Sequence, residues 1–181
     1  HPVLRTLLCW GEDDDLEAAM AGAPATFEPV ATRSDDVALI AFTSGTTGQP
    51  KAAMHFHRDV LAAADVVGGH LLGTAPGDVY AGSPPIAFTF GLGAQLVFPL
   101  RFRACAALST EPAPARLLEF AARHGVTCLF TAPTAYRVML PLLAGHDLSA
   151  LGRCVSAGEP LPQTVAEQWY AATGIRIIDG L

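Results

Sequence analysis

Charge is scarce in this 181-residue chain: Asp, Glu, Lys and Arg together make up 15% of it, against 51% hydrophobic residues. A typical globular domain is about a quarter charged. So apolar a chain is not intrinsically disordered, because disordered chains lack the apolar surface that offsets ordering entropy. Basic residues are the scarcer sign, 11 Lys and Arg against 17 Asp and Glu, for a formal net charge of −6. They form no cluster. A face for a polyanion needs concentrated positive charge, so nucleic acid is not an expected partner. Cysteine is sparse too: Cys9, Cys105, Cys128 and Cys154 form no C-x-x-C pair and show no zinc spacing. All four are expected to be buried and reduced, as in a cytoplasmic protein. The longest stretch without charge, residues 79–100, is broken by Gly82, Pro84, Pro85, Gly91, Gly93 and Pro99. Such a stretch reads as buried loop, helix and strand and does not insert in a membrane. The start, His1-Pro2-Val3-Leu4-Arg5, lacks the regions of a secretion signal.

What is present is a regular alternation. Residues 1–36 read as an edge strand, a helix through 16–21 with Glu12 to Asp15 at its acidic start, and a connector. From residue 37 onward, apolar strands are expected at 37–42, 78–82, 104–108, 126–131, 152–156 and 175–178. Helices are expected at 57–72, 113–124, 133–144 and 162–173, with Gly125 and Gly174 as stops. Val37 to Phe42 is a continuous apolar run suited to a strand covered on both faces. Strand–helix–strand spacing of this kind predicts an α/β fold, a largely parallel sheet flanked by helices. Ligands of such sheets bind at the carboxyl ends of the strands. The loops after Phe42, Thr131, Val155 and Ile178 are therefore the places for chemistry.

The first of these loops is Thr43-Ser44-Gly45-Thr46-Thr47-Gly48-Gln49-Pro50-Lys51, with four hydroxyls, two glycines and a lysine in nine positions. Glycines let backbone N–H groups converge on an anion; the hydroxyls add donors, and Lys51 adds charge. Hydrogen bonds to a charged group contribute roughly 1.5–3 kcal/mol each, so three or four can hold a polyphosphate against water. A Walker A loop has a different order, G-x-x-x-x-G-K-[ST]; here Pro50 precedes the lysine and prevents an interior helical turn.

The string resembles the phosphate loop of the adenylate-forming superfamily, [YF]-T-S-G-T-T-G-x-P-K-G, with Ala52 where glycine is usual. Three further segments match in order. Pro85-Ile86-Ala87-Phe88-Thr89-Phe90-Gly91 resembles the segment flanking the acyl pocket, which implies that Phe88, Phe90 and Gly91 border the acid. Ser156-Ala157-Gly158-Glu159-Pro160-Leu161 resembles the turn that lies against adenine. Asp179-Gly180-Leu181 resembles the opening of D-G-[ILY]-G-x-T-E. By resemblance, then, Thr43, Ser44, Gly45, Thr46, Thr47, Gly48 and Lys51 contact phosphate. Ala157, Gly158, Glu159, Pro160, Asp179, Gly180 and Leu181 border adenine. Residues 37–181 correspond to an AMP-binding subdomain, and the chain reads as an interior fragment.

The resemblance implies a parent that is an ATP-dependent carboxylic acid–CoA ligase using Mg²⁺ and coenzyme A. An aromatic acid such as benzoate or 2-aminobenzoate is expected, since Phe88 and Phe90 offer flat walls. Its Thr-Glu motif and C-terminal lysine lie outside these residues, so no catalytic residue and no metal ligand is assigned, and the fragment alone is expected to be inactive. An adenylation domain that loads a carrier protein, a luciferase-like oxidase and a non-catalytic nucleotide-binding module stay open as alternatives. His55 and His57 read as helix entry, and Glu159 as a turn carboxylate that accepts backbone N–H bonds and orients the adenine loop. Tyr80, Ala132 and Pro133 are candidate pocket neighbours, and Arg101 and Arg103 read as alternating along a strand edge.

Overall fold

A computed structural model describes residues 15–43 and 50–180. The chain divides into two compact units, His1–Arg33 and Ser34–Leu181. In the first, helix α1 (Asp15–Ala21) carries Asp15 and Glu17 in its first turn, where the helix dipole favours acids; Glu12 to Asp14 lie outside the described residues.

In the second unit the chain runs through β1 (Val37–Thr43), β2 (Lys51–Phe56) and α2 (His57–Ala63), which continues as wider π-helical turns over Ala64–Leu71. Next come β3 (Val79–Gly82), α3 (Thr89–Leu92), a second wide turn over Gly93–Val97, and α4 (Phe98–Arg101). The remainder is β4 (Cys105–Ala106), α5 (Pro114–His124), β5 (Cys128–Thr131), α6 (Pro133–Met139) with a 3₁₀ extension to Gly145, β6 (Arg153–Ser156), α7 (Gln163–Thr173) and β7 (Ile177–Asp179). Five strands make one parallel sheet in the order β4-β3-β5-β6-β7, the architecture expected of strand–helix alternation. Gly125 and Gly174 end α5 and α7 in the left-handed region, as their positions predicted.

Both faces of the sheet are covered. On one, Leu117, Leu118 and Ala121 of α5, Tyr136 and Met139 of α6 and Trp169 of α7 pack on Ala81, Leu129 and Cys154. On the other, Val67, Leu72, Phe90, Ala94 and Phe98 pack on Tyr80, Cys128, Phe130 and Val155. Each large apolar side chain so buried contributes about 1.5–3 kcal/mol. The Tyr136 hydroxyl, fully buried, donates toward the carbonyls of Leu129 (2.9 Å) and Val155 (3.0 Å), stapling β5 to β6. Burial pushes the thiols of Cys128 and Cys154 up to about 12.

Four expectations need correction. The first strand is not part of the parallel sheet: β1 pairs antiparallel with β2, a strand not foreseen because Lys-Ala-Ala-Met-His-Phe has little β-branched character. Nor is it covered on both faces, since Ile40, Phe42 and Met54 of the hairpin are 50%, 73% and 61% exposed. Cys105 is exposed, because β4 is a two-residue edge strand and not the 104–108 element predicted. Arg101 and Arg103 do not alternate on a strand: Arg101 ends α4 and pairs with Asp65 at 2.7 Å, and Arg103 lies in the following turn.

At the amino ends of the strands a polar clamp joins segments far apart in sequence. Arg153 pairs with Asp78 and donates to the Leu72 carbonyl at 2.7 Å. Asp78 also accepts from Thr127 and from the Ala75 N–H, both at 2.8 Å, and the Val79 N–H donates to Thr127 at 3.0 Å. Burial works to raise the Asp78 carboxyl. The hydrogen bonds from Ala75, Thr127 and Arg153 and the charge of Arg153 outweigh it and hold the carboxyl below the usual carboxylate value. Its stabilisation is therefore fully present above about pH 4 and lost as pH falls through the lowered folded value. Asp78→Ala leaves Arg153 partly buried and unpaired and is expected to cost about 2–4 kcal/mol in urea unfolding. Asp78→Asn is expected to flatten the loss of stability as pH falls below about 4; an acid limb identical to the wild type contradicts this account of the clamp.

Candidate functional site

The sheet order makes the site. From β3 the chain passes to β4 on one side, then crosses back to β5 on the other, so the loops leaving β3 and β5 diverge and open a crevice at their carboxyl ends. Ser83 and Thr131 stand there, their hydroxyls 2.6 Å apart. A cleft of about 310 Å³ opens beside them, lined by Gly82, Ser83, Pro84, Gln95, Ser109 and Thr110 among others.

The proposed adenine-bordering segments lie next along this edge. Ser156 and Asp179 are register partners on β6 and β7, with the buried Ser156 hydroxyl 3.4 Å from the Asp179 carboxylate. The Gly180 N–H donates to the Ser156 carbonyl at 2.7 Å, which sets Asp179-Gly180 alongside Ala157. Gly158 turns the chain with φ +89°, a conformation that only glycine adopts freely, and a Cβ there would meet no atom within 4 Å. Glycine is needed for the bend, not for space. Glu159 reaches back across the edge, its carboxylate accepting the Thr134 N–H at 2.9 Å at the start of α6. This bond, followed by the Thr134 hydroxyl and the nearby charge of Arg137, holds the Glu159 carboxyl below its ordinary value. Glu159 is thus a turn carboxylate bonded to backbone. Leu181 lies outside the described residues.

The two phenylalanines of the acyl-pocket segment separate. Phe90 is partly buried with its ring 5.8 Å from Phe130, whereas Phe88 is 66% exposed at the entry to α3. Gly91 is buried. Tyr80 is buried in the core with its hydroxyl 2.6 Å from Thr74, so it cannot line an open pocket; burial drives its phenol well above the ordinary value.

Residues 44–49, which include Ser44, Gly45, Thr46, Thr47 and Gly48, lie outside the described residues. The frame that carries them is described. Thr43 and Lys51 are register partners at the end of the β1–β2 hairpin where the connecting residues depart, and Lys51 is exposed. Leu39 and His55 on the opposite face of the hairpin from Ile40 and Met54 share an apolar cleft of about 170 Å³ with Val60, Ala63, Thr89 and Leu92. His57 opens α2, whereas His55 lies on β2. Among the described residues no group of three or more His, Cys, Asp and Glu is placed to hold a metal ion. No helix among them is long and apolar enough to cross a membrane.

The family model described as AMP-binding enzyme matches residues 4–181. The chain belongs to that family. It is 37% identical to the benzoate–CoA ligase of Thauera aromatica over 185 aligned positions, covering 99% of this chain and 35% of the relative. The anthranilate–CoA ligase of Pseudomonas aeruginosa is 36% identical, with 93% and 33% covered. A crystal structure of an anthranilate CoA ligase in complex with anthranoyl-AMP superposes with a TM-score of 0.83 at 34% identity, covering 91% of this chain and 32% of that one. The chain therefore spans about a third of the length of these relatives.

Sequence reading missed which side chains are bonded along this edge. Ser83 with Thr131, and Thr134 with Glu159, are joined by bonds across 48 and 25 residues. A Ser or Thr directly after an apolar strand was the available signal. Glu159→Ala removes the acceptor of the Thr134 N–H and is expected to speed hydrogen exchange at the Thr134 amide while leaving exchange in the interior of α6 unchanged. Unchanged exchange at Thr134 would remove Glu159 from that bond.

Proposed function

We propose that this chain is the phosphate-loop, acid-wall and adenine-turn portion of a longer ATP-dependent carboxylic acid–CoA ligase acting on an aromatic acid such as benzoate or 2-aminobenzoate. The likeness to a ligase structure holding anthranoyl-AMP is the observation that carries the reading, because it pairs this fold with an aryl-adenylate.

Two steps follow. The acid's carboxylate attacks the α-phosphorus of ATP, the bond to the β-phosphate oxygen breaks, and pyrophosphate leaves an acyl-adenylate. The thiol of coenzyme A then loses its proton and attacks the acyl carbon; the bond to the phosphate oxygen breaks and AMP departs. Thr43 through Gly48 and Lys51 hold the triphosphate, with Lys51 offering a charge that stabilises the departing pyrophosphate. Ala157 through Pro160 and Asp179 through Leu181 border adenine, and Phe88 borders the acid. Phe90 and Gly91 back that wall from inside. Mg²⁺, when bound, neutralises phosphate charge, but no set of ligands for it stands among the described residues, and no step here is routed through it. A reducing, cytoplasmic setting suits the free thiols.

Lys51→Ala in the full-length protein is expected to slow acid-dependent pyrophosphate exchange at least about 100-fold while the circular dichroism spectrum stays native. Unchanged exchange removes Lys51 from the site. With ATP and coenzyme A supplied, benzoate or 2-aminobenzoate should form thioester ahead of palmitate; a preference for palmitate would exclude the aromatic assignment.

A further inference from the structure

We propose that Gln95 is a positioning residue for the acid: its side-chain amide holds the Pro84–Pro85 turn and, through that turn, sets where Phe88 stands. The proposal rests on the ligase reading above, in which Phe88 borders the acid.

The turn between β3 and α3 is poor in donors, since neither Pro84 nor Pro85 has an N–H. Its own closure is the bond from the Phe88 N–H to the Pro85 carbonyl at 3.0 Å, and the Leu92 N–H then takes the Phe88 carbonyl at 2.7 Å. The Pro84 carbonyl needs a donor from elsewhere, and the Gln95 amide nitrogen supplies it. Gln95 is only 5% exposed, so this is not a surface side chain resting on a nearby oxygen. A buried primary amide is costly unless its polar atoms are bonded.

One helical turn earlier, Gly91 makes the latch possible. A Cβ at Gly91 would collide with the carbonyls of Pro84 and Pro85, so the helix lays its bare backbone against the turn. Residues 91 and 95 are four apart and share one side of the helical run. Glycine brings the two segments together and glutamine fastens them. Phe88 depends on this frame, because no ring or cation among the described residues lies against it, whereas Phe90 is held by Phe130. Gln95 itself need not touch the acid; it acts through Pro84, Pro85 and the backbone of Phe88.

The test uses the full-length enzyme and benzoate-dependent pyrophosphate exchange. Gln95→Met keeps the side chain's length and removes its donor. The expected result is a KM for benzoate raised about tenfold, with kcat within about twofold and the KM for ATP unmoved. Phe88→Ala should raise the benzoate KM as well, and adding Gln95→Met to it should cost little more, because both act through one ring. Gln95→Glu gives a second readout that survives poor folding of the methionine variant. An ionised carboxylate accepts hydrogen bonds and has none to donate to the Pro84 carbonyl, so the benzoate KM of Gln95→Glu at about pH 8 should rise about as far as that of Gln95→Met. No exchange in the unaltered enzyme overturns the ligase reading and this proposal with it. Exchange in the unaltered enzyme, together with a variant that melts lower but keeps its benzoate KM, overturns the proposal alone. So does a wild-type benzoate KM for Gln95→Glu, or full additivity with Phe88→Ala.

Discussion

Parallel pairing is the constraint from which the rest of this structure follows. Strands that run the same way end on the same side, and the order β4-β3-β5-β6-β7 lines up the ends of β3, β5, β6 and β7 along one edge. Segments that are up to about a hundred residues apart in sequence, from Ser83 to Gly180, are thereby made neighbours without any need to contact each other in the unfolded chain. The helices that make the crossovers then cover both faces, and the sheet's interior contributes stability while its edge is left free for chemistry.

The two ends of the sheet are chemically different. At the amino ends stands the Arg153–Asp78 pair, whose side chains are 23% and 13% exposed, the least exposed ion pair among the described residues. The carboxyl ends carry hydroxyls and backbone groups: Ser83 with Thr131, Ser156 with Asp179, Gly180 with Ser156. A buried ion pair at the carboxyl edge would be held rigidly, and its partners would compete with an anionic ligand for donors. Hydroxyls brace the strands and keep their second lone pairs or protons available. The buried ion pair is thus kept away from the edge where phosphate and carboxylate chemistry is proposed, and the two carboxylates that stand there lie against protein donors, Glu159 against the Thr134 N–H and Asp179 against the Ser156 hydroxyl.

The sequence was readable wherever one local pattern decided the outcome. The apolar runs ending at Thr131 and Ser156 and the glycine stops at 125 and 174 depend on neighbours a few residues away, and the strands and helices they imply are present. The first strand misled for a related reason. Val37 to Phe42 has the composition of a doubly covered strand, but composition does not name the partner, and the partner proved to be the alanine-rich Lys51–Phe56 running antiparallel. The clamp at Arg153 was invisible because its acceptors, Leu72 and Asp78, lie 81 and 75 residues away. Family motifs named Glu159 without naming Thr134, since a motif records which residue recurs and not what it is bonded to.

The acyl-pocket segment shows how far such a motif reaches. Phe88 and Phe90 are two residues apart with similar claims to the same wall. The chain passes between them from an extended N-cap, φ −103° and ψ 148° at Phe88, into the first turn of α3. That change of backbone direction separates the rings: Phe90 turns toward Phe130 and the sheet, and Phe88 stays at the rim. Loss of the Phe90 ring would open a hole in the core, and its effect on an acid would be hard to tell from general loosening. Phe88 has no such duty. Its exposed ring has little to lose in stability and lies at the end of a turn whose shape is fixed by the Gly91 backbone and the Gln95 amide. Under the proposed function, discrimination among flat acids falls to a side chain the core does not need, held in place by backbone that the core does.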